Sequence, residues 1–217
     1  MFRFSVAQFL GALALMFGAF PFLEELPRGH LTASILMTIV LLSGALAVGS
    51  GRTYFVLAVF LVVIPLAGEW MDYAMPGLVP VSVNIVSGIV FICFIMAQLF
   101  RFVLRAKHVN SEVLSAGISI YFILALAWSL AYRLLCQFNP KALAFSGSGH
   151  PDQVLQPFDA LYFSIVTLTT LGCNDIIAVS QTARGLVSLE VTGGVLYMAV
   201  LVARLVALYS RAPDEGG

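Results

Sequence analysis

The sequence predicts an all-α membrane protein with six transmembrane helices and one short re-entrant segment between the fifth and the sixth. Of its 217 residues, 60% are hydrophobic and only 10% are charged. The charged residues gather in short clusters between long apolar runs, whereas a soluble domain of this length needs a charged surface. Composition and patterning together therefore place the chain in a lipid bilayer.

Six apolar segments are long enough, or nearly so, to be transmembrane helices. A helix needs about 20 mostly apolar residues to cross the hydrocarbon core, because each residue rises about 1.5 Å. The first segment could instead be a cleaved signal peptide, but "LMFGAFPFLEEL" lacks a small-x-small cleavage site, so we treat it as a span. The third segment is short. The predicted spans are residues 4–22, 31–49, 53–68, 79–103, 113–135 and 182–208.

The basic residues indicate how the six spans are oriented. Six spans place both termini on one side of the membrane, and seven basic residues fall on that side against four on the other. Because basic residues are enriched in cytoplasmic loops, we predict that both termini are cytoplasmic. The seven are Arg3, Arg52, Arg101, Arg105, Lys107, Arg204 and Arg211, and the four are Arg28, Arg133, Lys141 and Arg184.

The chain divides into two predicted domains: residues 1–108, with four spans joined by short loops, and residues 109–217, with two spans separated by a long interval. The interval begins with a loop rich in Pro, Gly and Ser, "CQFNPKALAFSGSGHPDQVLQP". An apolar run of about a dozen residues follows, "FDALYFSIVTLT", which is too short to cross the bilayer. We therefore predict that this run is re-entrant.

Polar, irregular backbone at membrane depth follows the re-entrant run. Each unsatisfied peptide group in lipid costs several kcal/mol, so such backbone is tolerated only where protein buries it or water lines it. A short helix that ends inside the membrane also directs its carbonyl end there, and that end carries about half a negative charge. The stretch "TLTTLGCNDI", residues 167–176, is therefore predicted to be surrounded by protein or by a pore, at a point where cations are favoured.

This stretch resembles the selectivity filter of potassium channels, in which T-V-G-Y-G-D follows a pore helix. The run "FDALYFSIVTLTT" resembles that pore helix, and "TARGLVSLEVTGGVLYMAVLVARLVALY" resembles the inner helix of small bacterial channels of the two-transmembrane-pore class. The resemblance covers about residues 113–209 and implies an ion-channel pore domain in a bacterial inner membrane. The six filter positions are occupied by Thr170, Leu171, Gly172, Cys173, Asn174 and Asp175.

The resemblance also implies how the filter binds ions. In that family, backbone carbonyls replace the water around a dehydrated ion, ring above ring, and four chains give one strand each. A homotetramer is therefore implied, with K⁺ bound by carbonyls and by the Thr170 hydroxyl. The backbone must alternate between left- and right-handed conformations, which glycine adopts freely and asparagine better than most residues. The implied K⁺-binding residues are Thr170, Leu171, Gly172 and Cys173, with Asn174 as the fifth filter residue.

Two filter residues depart from the family pattern. Cys173 stands where the family usually has tyrosine or phenylalanine, whose ring packs behind the filter, and Asn174 stands where it has glycine. A cysteine is smaller and braces the filter less. Three functions stay open: a potassium channel with rearranged packing, a weakly selective cation channel that also passes Na⁺, and a non-conducting auxiliary subunit that has kept the pore architecture.

Four further residues are expected to support the filter: Asp175, Thr169, Arg184 and Glu190. Asp175 would either concentrate cations at the outer mouth or hydrogen-bond to the pore helix, although Val166 stands where related channels often place a carboxylate. Glu190 is an ionisable residue inside the last span, a position that indicates a functional role. It would brace the site by pairing with Arg184 or with polar groups behind the filter, or it would sense protons.

Three residues of the last span raise the question of gating. Gly193 and Gly194 lie in mid-helix, where a glycine costs about 1 kcal/mol relative to alanine. They would form a gating hinge, pack closely against a neighbouring helix, or do both. Arg204, near the end of the same span, is expected to reach the lipid headgroups or to face a neighbouring helix.

The fourth span argues against voltage sensing. A voltage sensor needs several arginines along a span, because each charge moved through 100 mV contributes only about 2.3 kcal/mol. The stretch "VPVSVNIVSGIVFICFIMAQLF" contains none. We therefore predict voltage-independent opening.

The residues inside the predicted spans also argue against an enzyme. A membrane enzyme needs a nucleophile facing a base, or clustered His and acidic ligands. No His falls in a predicted span, and Glu190 is the only acid clearly inside one. The expected partners are the lipid bilayer and further copies of the chain. Apart from the permeant ion, no cofactor, nucleic acid or small-molecule substrate is expected.

Overall fold

The computed structural model describes residues 6–23, 29–47, 52–75, 77–78, 80–106, 108–146, 155–173 and 175–209. Asn174, one of the predicted filter residues, lies outside the described residues. The described residues form helices and one short two-stranded ribbon. The helices are α1 (Val6–Leu23), α2 (Gly29–Ala47), α3 (Arg52–Ala74), α4 (Val81–Arg105), α5 (Ser111–Phe138), α6 (Pro157–Leu168) and α7 (Gln181–Tyr209), and the strands are β1 (Leu143–Phe145) and β2 (Ile176–Ala178).

Four of the described helices are long and apolar enough to cross a membrane, and they coincide with the third to sixth predicted spans. The first two predicted spans coincide with shorter apolar stretches in α1 and α2, Val6–Phe22 and Leu31–Ala47. The protein is thus an integral membrane protein built almost entirely of α-helices. The four long segments are Thr53–Met71, Val81–Arg105, Ser111–Phe138 and Gln181–Ala207.

The predicted boundaries differ from the observed ones in α2 and α3 in a way that brings further ionisable residues into helices. Helix α3 continues past position 68 to Ala74, so Glu69 also lies within a helix, where its Oε1 accepts a hydrogen bond of 2.9 Å from the Ser34 hydroxyl. Helix α2 begins at Gly29 and so includes His30. Helical backbone satisfies its own hydrogen bonds in the polar membrane boundary as well as in lipid, so a helix does not stop where the apolar run stops. Glu190 is therefore not the only acid inside a long helix.

Neighbouring helices in the sequence pack against each other, and α1 returns to pack against α5. Phe17 of α1 meets Phe122 of α5 edge to face, with ring centroids 4.7 Å apart. Helices α3 and α4 approach closely at Gly68, where an added Cβ would lie 2.6 Å from the Asn84 side-chain oxygen. These contacts join the leading helices and α5 into one hydrophobic core.

A short antiparallel ribbon departs from the predicted all-α fold. Strand β1 follows α5. Strand β2 follows residues 169–175, which are called the filter stretch below for their resemblance to a selectivity filter. In the ribbon, Ala144 lies opposite Ile177. The ribbon is extended by a hydrogen bond of 2.7 Å from the Ser146 N–H to the Asp175 carbonyl. It therefore ties the end of the filter stretch to the segment that leaves α5. The core beneath it comprises Tyr132, Ala142, Leu143, Phe163, Ile176 and Ala183.

Candidate functional site

Helix α6 begins at a well-defined point. Pro157 occupies its first turn, where the missing N–H of proline costs nothing, and the Gln156 N–H donates a hydrogen bond of 3.0 Å to Asp159 Oδ2. The helix has 12 residues, which corresponds to about 18 Å at a rise of about 1.5 Å per residue. This is roughly half of the hydrocarbon thickness, so α6 ends near the middle of a bilayer if it enters from one side.

The last turn of α6 is capped by the residues that follow it. A helix leaves its last four carbonyls without partners in the helix, and here each of the four accepts a hydrogen bond. Three of the donors are backbone N–H groups of the filter stretch. The pairs are Thr169 N–H with Ile165 O at 2.9 Å, Leu171 N–H with Val166 O at 2.9 Å, Thr170 N–H with Thr167 O at 3.0 Å and the Tyr121 hydroxyl with Leu168 O at 3.3 Å.

The same hydrogen bonds orient the carbonyls of the filter stretch. In a planar trans peptide the C=O of one residue points opposite to the N–H of the next. The N–H groups of Leu171 and Gly172 both point back to the Val166 carbonyl, at 2.9 and 3.4 Å. The carbonyls of Thr170 and Leu171 therefore point away from α6. Val166, whose side chain offers no hydrogen bond, holds Leu171 and Gly172 through its backbone carbonyl instead.

Two residues of the filter stretch, separated by one residue, have a left-handed backbone conformation. The φ angle is 60° at Thr170 and 65° at Gly172. Glycine adopts this conformation freely, but a β-branched residue such as threonine rarely does. Unfavourable backbone of this kind persists where surrounding structure enforces it, and it is concentrated at functional sites. Residues 169–173 are all exposed in the single chain.

Tyr162 of α6 is a site residue that sequence reasoning missed. Its phenol lies close to the Asp175 carboxylate and the Cys173 thiol and interacts with both. The Asp175 carboxylate thus lies beside α6, next to a residue one turn before Val166, and its role at the filter stays a prediction. Asp175 Oδ1 also accepts a hydrogen bond of 3.1 Å from the Ile176 N–H. The aromatic residues of "FDALYFSIVTLT" indicated a pore helix, but they did not identify Tyr162 as a residue that interacts with Asp175.

Glu190 of α7 is fully buried between α5 and α6, with an exposed fraction of 0%. Its Oε2 lies 2.5 Å from the Tyr132 hydroxyl of α5, and its Oε1 lies 2.5 Å from the Ser164 hydroxyl of α6. The described partners of Glu190 are thus hydroxyl groups of α5 and α6. Arg184 instead donates from Nε to the Ala178 carbonyl, at 3.2 Å.

The two glycines of α7 have different surroundings. A Cβ on Gly194 would lie 2.7 Å from Leu168 Cδ1 and 3.0 Å from the Leu168 carbonyl oxygen, both at the end of α6. A Cβ on Gly193 would have no atom of the chain within 4 Å. Gly194 therefore makes the close packing contact, and its neighbour is the end of α6 in the same chain.

Arg204 faces a neighbouring helix of its own chain. Its Nε donates a hydrogen bond of 3.1 Å to the Val103 carbonyl, and its Nη2 donates to the carbonyls of Leu104 and, at 3.4 Å, Ala106. These three carbonyls lie at the C-terminal end of α4, where a positive charge is favoured by the helix dipole. Arg204 thus connects the end of α7 to the end of α4.

The comparisons with known proteins agree with this geometry. Residues 120–211 match a family model described as Ion channel. The matched region contains most of α5, all of α6, the filter stretch and α7, and it lies within the predicted domain 109–217. No curated protein and no solved structure was found to match the chain. The protein is an integral membrane protein whose residues 120–211 match the ion channel family.

Proposed function

We propose that the protein is a homotetrameric cation channel that conducts K⁺ in preference to Na⁺ and opens independently of voltage. The filter is formed by Thr170, Leu171, Gly172 and Cys173, with Asn174 at its outer end. The observation that supports this most strongly is the left-handed backbone at Thr170 and Gly172, which accompanies carbonyls turned away from α6. Such carbonyls are free to replace the hydration shell of a cation.

Four copies are needed because one chain gives only one strand of oxygens. The filter stretch is exposed in the single chain, and so is a large part of the apolar surface of α7, of which only 17% of the spanning window is buried. Neighbouring copies would cover this surface around a shared axis. Its exposed large residues are Leu189, Val195, Leu196, Met198, Val200, Val202 and Val206.

The proposed membrane topology has six spans, with α6 as the re-entrant pore helix and both termini in the cytoplasm of a bacterium. In this arrangement the carbonyl end of α6 points toward the middle of the bilayer, where its partial negative charge favours a cation. Asp175 and Tyr162 hold the outer end of the filter. The chain has no catalytic role in this proposal, and its only ligand is the permeant ion.

Ion flux from liposomes tests whether the protein conducts. Purified protein in K⁺-loaded liposomes is expected to release K⁺, and more slowly to release Na⁺ from matched Na⁺-loaded liposomes. Gly172→Val is the control: its Cβ would meet no atom of the chain within 4 Å, yet valine rarely adopts the φ of 65°. We expect this variant to fold and to lose the flux. No flux in the wild type would favour a non-conducting auxiliary subunit, and equal K⁺ and Na⁺ flux would favour a weakly selective channel.

Opening is expected to be independent of voltage. The arginines of α4, Arg101 and Arg105, lie at its C-terminal end, and the stretch from Val81 to Phe100 carries no charge. Because each charge contributes only about 2.3 kcal/mol per 100 mV, two charges at the membrane boundary supply little driving force. Open probability in symmetrical K⁺ solutions should therefore stay nearly constant between negative and positive voltages. A steep conductance–voltage curve would contradict this expectation.

A further inference from the structure

Ser164 of α6 lies between two oxygen atoms from different helices. Its hydroxyl oxygen is 2.9 Å from the Ala125 carbonyl of α5 and 2.5 Å from Glu190 Oε1 of α7. The other oxygen of Glu190 is 2.5 Å from the Tyr132 hydroxyl. Ser164, Glu190 and Tyr132 all have exposed fractions of 0%. Three buried polar side chains and one backbone carbonyl thus form a continuous chain across α5, α6 and α7.

The number of hydrogens available to these three contacts bears on whether Glu190 is protonated. Serine and tyrosine hydroxyls each donate one hydrogen, a backbone carbonyl donates none, and an ionised carboxylate donates none. Tyr132 can therefore supply the contact with Glu190 Oε2, and Ser164 can supply either of its two contacts. If Ser164 donates to Ala125, the contact between Ser164 and Glu190 Oε1 needs a hydrogen on Glu190.

We propose that Glu190 is an uncharged carboxylic acid that donates its proton to Ser164 Oγ and thereby holds α6 in position behind the filter. Ser164 then donates to the Ala125 carbonyl, and Tyr132 donates to Glu190 Oε2. Every short contact in the chain receives one hydrogen. Glu190 is in this sense a positioning residue, because it acts on the filter through α6 and does not touch the ion.

The charges around Glu190 favour the same state. Among the described residues, the titratable groups that face it are Tyr132 and Tyr121, both from α5, while α6 presents the Ser164 hydroxyl. A buried carboxylate is tolerated when a positive charge and hydrogen bonds compensate its lost hydration. These neighbours supply hydroxyl hydrogens and no positive charge, so the neutral acid is favoured.

The position of Ser164 explains why this proton matters for the filter. Ser164 lies one turn before Leu168, the last residue of α6 and the one that packs against Gly194. Ionising Glu190 would leave the short contact between Ser164 and Glu190 competing with the Ala125 carbonyl for a single hydrogen. It would also place an unpaired charge between the helices. We therefore expect α6 and the filter stretch to lose their fixed position as the pH is raised.

Infrared spectroscopy of the full-length protein in lipid tests the proton directly. The wild type at neutral pH is expected to show a carboxylic-acid C=O band that is lost in Glu190→Gln and lost from the wild type at alkaline pH. Glu112→Gln is the matched control, since Glu112 lies in the first turn of α5, and it should keep the band. A wild type that has no Glu190-dependent acid band at neutral pH would overturn the proposal.

Stability and flux test the positioning role. Glutamine is neutral and of similar shape, and its amide can donate to Ser164 and accept from Tyr132. A group that is protonated in the folded state stabilises the fold at low pH, and this contribution is lost as the pH rises. The thermal midpoint and K⁺ flux of the wild type should therefore fall at alkaline pH, while those of Glu190→Gln should stay nearly constant. Identical pH profiles for the two proteins would overturn the positioning role.

The conduction readout rests on the proposed function, whereas the infrared and thermal readouts do not. A wild type that shows the acid band and its pH-dependent midpoint but passes no ions would refute the channel and leave the Glu190 proton supported. Glu190→Ala is expected to lower the midpoint more than Glu190→Gln, because it leaves two buried hydroxyls without this partner. Should the alanine variant fail to fold, the glutamine variant still decides the question.

Discussion

Replacing Cys173 with tyrosine and Asn174 with glycine together is expected to raise the preference for K⁺ over Na⁺ by about tenfold, equivalent to about 1.4 kcal/mol. The side chain of Cys173 is exposed in the single chain, and its thiol lies close to the Tyr162 phenol. A tyrosine would fill more of the space behind the filter and limit how far its carbonyls can move. Glycine at position 174 would adopt a left-handed backbone without strain.

Reversal potentials with K⁺ on one side of the membrane and Na⁺ on the other measure this preference. The two single variants separate the contributions of ring packing and backbone freedom, and a double variant that exceeds both would show that the residues act together. Cys93→Tyr is the control, because Cys93 is an exposed cysteine on α4, away from the filter stretch. An unchanged or lowered K⁺ preference in the double variant would show that Cys173 and Asn174 do not relax the filter.

Gly194→Ala is expected to disturb the channel far more than Gly193→Ala. The new Cβ at position 194 would lie 2.7 Å from Leu168 Cδ1 and 3.0 Å from the Leu168 carbonyl oxygen. Leu168 is 2% exposed, so its side chain has little room to move, and its carbonyl is part of the helix end. Overpacking of this kind costs about 1–3 kcal/mol. We expect a lower thermal midpoint and a displaced filter, with reduced K⁺ flux.

The two alanine variants also separate the predicted roles of these glycines. At position 193 alanine meets no atom of its chain within 4 Å and gains helix propensity of about 1 kcal/mol. If Gly193 acts as a hinge, single-channel recordings of Gly193→Ala will show altered open times although its stability is not lowered. If Gly194→Ala keeps the wild-type thermal midpoint and K⁺ flux, the close packing of Gly194 against Leu168 contributes to neither, and the prediction for Gly194→Ala is wrong.

The spans with long apolar runs could be predicted closely from the sequence. Helices α5 and α7 begin and end within three residues of their predicted limits, because one apolar run largely determines each. The end of α3 could not be predicted in this way. Its last turns carry Glu69, whose hydrogen bond to Ser34 depends on how α2 and α3 pack.

The contacts around the filter depend on residues far apart in the sequence. Glu190 pairs with Tyr132, 58 residues away, and with Ser164, 26 residues away, so no local pattern could identify either partner. The ribbon that pairs Leu143 with Ala178 is equally non-local. The resemblance predicts a filter that follows a short helix, and α6 does precede residues 170–175. The interaction of Tyr162 with Asp175 depends on how the chain turns back on that helix.

The guanidinium of Arg204 joins the last helix to the last of the four leading helices. It fastens the C-terminal part of α7 to the last carbonyls of α4 within one chain. An outward movement of the end of α7 must therefore either move α4 with it or break these hydrogen bonds. Because α4 packs against α3, a displacement of the end of α7 that also moved α4 would reach the other leading helices.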